Sequence, residues 1–330
     1  MRQNNTNTII IIGAGTVGTS TGKGLIKKGY DVVFVDKNPD VISSLEDKGY
    51  RAYLPNDLSG HGTSAHTSMF CVDTPLSGQS GVNDGGVDLD NIISAVSAHA
   101  RWLERSKSYS RNGNKYYHLI VIRSTVPPGT TKGLLLPLIE KYSGLKAGED
   151  FGLCVQPEFL RTVRADEDFL HPRATIIGQY DNRSGDSLEK IYSLFEGEKI
   201  RVDLDMAEFM KFIHNCFNAT KISFSNEMWQ VGQNLGLDAN LALRLAAKTA
   251  EGLWNSNYGL IGGQPYGGHC LPKDTEGFEQ FAQRINAVTP LLSAVVRVNR
   301  HMEEMAKLGR ANHATLEPPS VPKKQVFPAL

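Results

Sequence analysis

The chain has 330 residues, 40% hydrophobic and 21% charged, the balance of an ordinary globular protein with room for two domains. Lys+Arg and Asp+Glu are 35 each, so no net field recruits nucleic acid or an anionic membrane, and any anionic ligand must be held by local sites. The opening MRQNNTNT does not read as a secretory signal, and no apolar run approaches the roughly 20 residues that span a bilayer. Cys71, Cys154, Cys216 and Cys270 are scattered without a CxxC pair, so a disulfide framework or metal site is not expected and a reducing cytoplasm is the expected compartment.

In chain order, Thr8–Ile12, Asp31–Val35, Ser68–Val72, His118–Ile122, Leu153–Val155 and Ala174–Ile177 read as strands. Amphipathic stretches such as Thr16–Lys28 and Asp40–Lys48 lie between them, and this alternation predicts βαβ units with a mostly parallel sheet over residues 1–200. From Asp205 to about Leu235 the apolar residues recur at helical spacing, with Asp205 and Glu208 as the expected cap and Gly236 as the stop. A helix spanning about 201–236 is longer than one small domain needs, which points to a bridge between domains or a homodimer contact. Further helices are expected at Asn240–Thr249 and Leu291–Leu308, giving a smaller all-helical domain over 237–310. The Pro-rich stretch 311–330 reads as a tail. The expected fold class is therefore α/β: a doubly wound sheet, a long central helix, then helices alone.

Gly13-Ala14-Gly15-Thr16-Val17-Gly18 is a G-x-G-x-x-G that follows an apolar strand and opens a helix, and Asp36 answers it at the end of the next strand, VVFVD. Glycines there let a pyrophosphate approach free helix N–H groups, and a carboxylate takes the ribose hydroxyls while repelling a 2′-phosphate. The pattern predicts a Rossmann-like NAD site.

Lys211 and Asn215 lie four apart, on one face of the long helix and within an apolar run, FMKFIHNCF. A lysine beside an amide can hold a substrate oxygen and shuttle protons. In YGGHCLPKD, Gly267 and Gly268 clear space before Cys270, and Pro272 suits the first turn of a helix through Asp274–Gln283. A thiol at a helix N-terminus beside Lys273 is placed to act as a nucleophile. With NAD in the same chain, this suggests aldehyde oxidation through a thiohemiacetal and a thioester. His61, His66, His214 and His269 read as structural or solvated, and only His269, next to the thiol, is a candidate for proton transfer.

The stretches GAGTVG, DTP (73–75), RSTVPPGTT (123–131), QPEFLR (156–161), ADEDFLHPRATIIG (165–178), AEFMKFIHNCFNATKISFSNEM (207–228) and GGHCLPKDT (267–275) fall in one order. In them the chain resembles the UDP-glucose/GDP-mannose dehydrogenases, nucleotide-sugar 6-dehydrogenases that oxidise a hydroxymethyl to a carboxylate in two NAD-dependent steps. The resemblance implies that Cys270 is the nucleophile, that Lys211 and Asn215 bind the sugar and stabilise oxyanions, and that Glu158 works as acid–base or positions water. It implies that Asp274 lies near the lysine and water, that Thr125 holds an ordered water, and that Thr74, Thr125 and Lys273 lie near NAD. Substrate contacts are implied for Glu158, Phe159, Leu160, Arg161, Gly267 and the Gly259–Gly263 loop.

Three departures stand out. Thr162 replaces a family Glu, Asp40-Val41 stand where a basic residue often follows the acid, and the sequence stops soon after VVRVNRHMEE, where the family continues into a second doubly wound domain. The usual grip on the nucleotide is therefore expected to be missing. Two other readings remain: a two-electron alcohol or hydroxy-acid dehydrogenase, and a non-catalytic NAD-binding subunit.

Overall fold

The computed structural model describes residues 8–58, 65–77, 86–106 and 117–308. The described residues divide into two compact units, with the boundary between His214 and Asn215.

The first unit is built on one eight-stranded sheet: β1 (Thr8–Ile12), β2 (Asp31–Val35), β3 (Ala52–Tyr53), β4 (Thr67–Phe70), β5 (His118–Ile122), β6 (Phe151–Val155), β7 (Ala174–Gln179) and β8 (Glu198–Asp203). The order is β3-β2-β1-β4-β5-β6-β7-β8. Pairing is parallel from β3 to β6, β7 turns antiparallel to β6, and β8 is parallel to β7. The helices are α1 (Thr16–Lys27), α2 (Pro39–Glu46), α3 (Asp90–Ser106), α4 (Leu136–Ser143), α5 (Ala165–Leu170) and α6 (Asn182–Tyr192).

Strands covered on both faces read as near-continuous apolar runs. Alternate residues serve opposite cores. Ile10, Ile12, Val33, Phe70 and Ile120 pack with α3 and α4, while Ile9, Ile11, Phe34, Met69 and Val121 pack with α1, α2, α5 and α6. The register sets Ile12 level with Val35 and Phe70, Phe70 with Ile122, and Ile122 with Val155. The segments after β1, β2, β4, β5 and β6 therefore leave from one edge of the sheet. The crevice of a doubly wound sheet lies at this edge, where strand order reverses about β1.

Two strands were not expected from sequence. β3 is two residues long, and β8 (EKIRVD) is a half-buried edge strand whose charges mask its alternation. The remaining helices are α7 (Leu204–Leu235), α8 (Ala239–Thr249), α9 (Glu251–Trp254), α10 (Cys270–Arg284) and α11 (Pro290–Lys307). From Asn215 onward the described residues hold helices and no strand. The unit boundary falls inside α7, whose 32 residues run about 48 Å at helical rise. Its start corrects the expected cap. Asp203 Oδ1, not Asp205, accepts from Met206 N at 2.8 Å, and Glu208 bonds elsewhere. Gly236 ends α7 at φ +66°, with Leu237 N donating to Gly232 O at 2.9 Å. The expected tail at 311–330 and His61 lie outside the described residues.

Candidate active site

At the sheet edge, Gly13 carries φ +88°, and a Cβ there would meet the Cys71 carbonyl and Val72 N at 2.8 Å. A Cβ on Gly18 would meet Gly13 O at 1.9 Å, so α1 can close onto the turn only with glycine. Gly15 faces open space. α1 begins at Thr16 with no side-chain cap and no acid in its first turn, which leaves its N–H groups for an anion. Asp36 Oδ2 accepts from Ala14 N at 2.7 Å and Oδ1 from Asn38 N at 2.9 Å, fixing the carboxylate beside the glycine turn. Gly13, Gly15, Thr16, Val17 and Asp36 line a cavity of about 1150 Å³ that continues to Thr74, Thr125 and Glu158. An open cradle, uncapped amides and a carboxylate on the adenosine side fit a dinucleotide.

Lys37 also lines this cavity and donates to Asn91 Oδ1 at 2.7 Å. The basic residue sought near Asp40-Val41 thus stands directly after Asp36. Thr74 Oγ1 donates to Thr125 O at 2.7 Å, and Ser124 Oγ to Val72 O at 2.7 Å, tying the segments after β4 and β5 together.

Glu158, three residues beyond β6, meets Lys211 of α7. Lys211 Nζ donates to Glu158 Oε1 at 2.9 Å and to the Glu158 carbonyl; the lysine is buried and the glutamate largely so. Glu158 Oε2 accepts from Leu160 N at 2.7 Å. An ammonium has three protons, and the third has no partner among the described residues. Phe159 lies 5.4 Å under the Lys211 ammonium and 4.7 Å from the His214 ring. Burial, then the Lys211 charge, lower the His214 pKa, so it stays neutral at pH 7. Arg161, expected at the substrate, spends its side chain on Asp168 with bonds of 3.0 and 2.6 Å and is exposed. That pair holds the Asp168 carboxyl down to about 2. Thr162 opens a short 3-10 turn and lines a second pocket with Gly15, Thr16 and Lys23 rather than the cavity that reaches Glu158.

Asn215 follows Lys211 by one turn of α7 and is exposed. In the second unit, Gly259, Gly263 and Gly268 all have positive φ, and a Cβ on Gly267 or Gly268 would meet nothing within 4 Å. Tyr266 and Thr275 hydroxyls lie 3.3 Å apart and pin this loop to α10. Cys270 is a free, exposed thiol and the first residue of α10, which puts Pro272 in the first turn of that helix. Lys273 bonds to Asp274, with both side chains exposed, so the ammonium expected to act on the thiol is shared with a carboxylate. His269 holds the N-cap position without a side-chain capping bond.

Residues 51–196 match the model of the UDP-glucose/GDP-mannose dehydrogenase family, NAD binding domain, and 205–301 that of the central domain of the same family. The chain belongs to the UDP-glucose/GDP-mannose dehydrogenase family. A TrkA-N domain model also matches residues 9–61. The GDP-mannose 6-dehydrogenase of Pseudomonas savastanoi pv. phaseolicola is 34% identical over 309 residues, 88% of this chain and 67% of that protein. The UDP-glucose 6-dehydrogenase of Haloferax volcanii is 30% identical over 313 residues, 88% of this chain and 68% of that protein. A crystal structure of a ternary complex of GDP-mannose dehydrogenase from Pseudomonas aeruginosa superposes with a TM-score of 0.81 at 30% identity, covering 93% of this chain and 71% of the other. The cofactor is NAD.

Sequence reasoning missed two residues of the crevice. Lys37 was visible as the basic residue after an acid at a strand end. Arg123 opens RSTVPPGTT, and a charged residue straight after the apolar run HLIVI is itself a signal.

Proposed function

We propose that the protein oxidises the primary alcohol of a nucleotide-linked sugar to a carboxylate with two equivalents of NAD, using Cys270 as the nucleophile. The observation that carries this reading is the Lys211–Glu158 pair at the dinucleotide crevice, with one ammonium proton unpartnered among the described residues. Bound NAD supplies the hydride acceptor for both oxidations.

In the first oxidation the alcohol loses a hydride from carbon and a proton from oxygen, and the aldehyde results. The free Lys211 N–H holds that oxygen while it carries negative charge. The Cys270 thiolate then adds to the aldehyde carbon, a C–S bond forms, and the oxygen takes a proton. Loss of a second hydride and that proton leaves a thioester. Water positioned by Glu158 attacks the thioester carbon, the C–S bond breaks, and Cys270 is regenerated. In sum, alcohol, two NAD+ and one water become carboxylate, two NADH and three protons. Asn215 and Gly267 are assigned to substrate contact, Asp274 to water near the lysine, and Thr125 to an ordered water.

Relatives named for GDP-mannose and for UDP-glucose match at 34% and 30% identity, too narrow a gap to choose the sugar. The test is turnover of GDP-mannose and UDP-glucose followed by NADH absorbance and product mass. Two NADH per acid from either supports the reading. An aldehyde or ketone with one NADH would favour the two-electron alternative, and NAD binding without turnover the non-catalytic one.

A further inference from the structure

Arg123 is the first residue after β5 and is 2% exposed. Its hydrogen-bonded surroundings are neutral. Nη1 donates to the Tyr192 hydroxyl at 2.7 Å, which donates in turn to Gln156 Oε1 at 2.8 Å. The guanidinium lies 5.5 Å from the centre of the Phe169 ring, and Nε has no hydrogen-bond partner. Burial pushes the neighbouring Cys71 thiol up to about 11 and raises the Tyr192 hydroxyl as well, so neither offers a countercharge at pH 7. Glu158, whose charge reaches Arg123, is already bonded to Lys211. Among the described residues no carboxylate lies within ion-pair distance of this guanidinium. A buried cation without a countercharge in contact is expensive, and hydrogen bonding alone could be met by a neutral side chain.

Its place in the sheet suggests what it acts on. Asp36, after β2, marks the adenosine side of the crevice, and Gly13–Gly18 the pyrophosphate. Arg123 and Thr125 follow β5, across β1 from Asp36, and line the same cavity, on the side left for the nicotinamide. The oxidised ring carries a positive charge and the reduced ring none, while the rest of the dinucleotide is identical. A fixed cation there acts on the difference between the two redox forms.

We propose that Arg123 is an uncompensated buried cation that makes the protein bind NADH more tightly than NAD+, favouring hydride acceptance by the bound nicotinamide. This rests on the NAD site alone and is independent of the identity of the sugar.

The experiment compares Kd for NADH, from its fluorescence, with Kd for NAD+, from calorimetry, in the full chain without substrate. In the unmodified protein NADH is expected to bind about tenfold more tightly. Arg123→Met should reduce that preference at least about threefold, Arg123→Lys should keep it, and Tyr192→Phe, which breaks the hydrogen bond but not the charge, should keep it too. Equal affinities in the unmodified protein would overturn the proposal whether or not any variant folds. A loss shared equally by both forms in Arg123→Met, or the same ratio change in Tyr192→Phe, would reduce Arg123 to a structural or pyrophosphate-holding role and likewise overturn it.

Discussion

A lysine whose side chain is 8% exposed and a glutamate 14% exposed, 53 residues apart in sequence, form the pair at the centre of the proposed chemistry. Removing one partner of such a pair leaves a charge buried alone, at a cost of about 3 kcal/mol or more. Lys211→Ala should therefore lower the urea-derived unfolding free energy by about 3 kcal/mol, and Lys211→Ala with Glu158→Ala should cost less than the two singles added. Strict additivity would contradict the pairing. Lys211 was legible as a buried polar residue in an apolar run, but its partner was not, because no periodicity links positions so far apart.

Histidine gives a residue-scale prediction in pH. His118 Nδ1 donates to Ala65 O at 3.0 Å, so its Nε2 accepts from Ser68 Oγ at 2.9 Å, a neutral ring bonded on both sides. Burial pulls its pKa down to about 3, and His99, stacked on Trp102 4.8 Å away, is also lowered by burial and by His118. As pH falls below about 6.5 the unfolded chain takes up protons that the native state refuses. Stability then drops by about 1.4 kcal/mol per pH unit for each such ring, for His118 until about pH 3. His118→Gln should flatten the loss of stability between pH 6 and pH 4.5, read by denaturant melts. An unchanged slope would place the acid sensitivity elsewhere.

Among the elements, α7 carries two buried glutamates that each hold a pair of backbone amides, one in each unit. Glu208, 2% exposed, accepts from Gly129 N at 2.6 Å and Thr131 N at 2.8 Å, fastening the turn that follows Thr125. Glu227, 6% exposed, accepts from Leu291 N and, at 3.0 Å, from Leu292 N, closing the first turn of α11 where a negative charge meets free N–H groups. An amide has one acceptor oxygen where a carboxylate has two. Glu208→Gln and Glu227→Gln should each cost about 1–3 kcal/mol by denaturant melts, and substitution of exposed Glu304 should cost little. The helix itself was legible from its apolar spacing and Gly236. Its true cap was not, because Asp203 ends a strand whose alternation is hidden by charge, and Glu208 was read as a cap when its bonds reach a turn 77 to 79 residues away. The parallel core was legible because strands buried on both faces write unbroken apolar runs. The two-residue β3 writes nothing.

At the scale of the whole molecule, large apolar side chains remain uncovered along α7. Phe217 is 61% exposed, Ile222 62% and Trp229 47%. Large apolar side chains exposed along one helix suit a partner surface, and we propose a second copy as that partner. Light scattering should give about twice the chain mass of 36.2 kDa, and Phe217→Glu should shift the protein towards monomer. A monomer at micromolar concentration in the unmodified protein would contradict this. Among the described residues no helix is long and apolar enough to cross a membrane, and no group of His, Cys, Asp and Glu is arranged to hold a metal.

The proposed path from aldehyde to carboxylate turns on Cys270. The direct measurement is mass spectrometry of the acid-quenched protein during turnover with NAD and the sugar nucleotide that supports it. The predicted result is an adduct on the peptide containing Cys270, absent from Cys270→Ala, which also forms no carboxylate. Sustained conversion of alcohol to carboxylate by Cys270→Ala, at the rate of the unmodified protein, would contradict the mechanism.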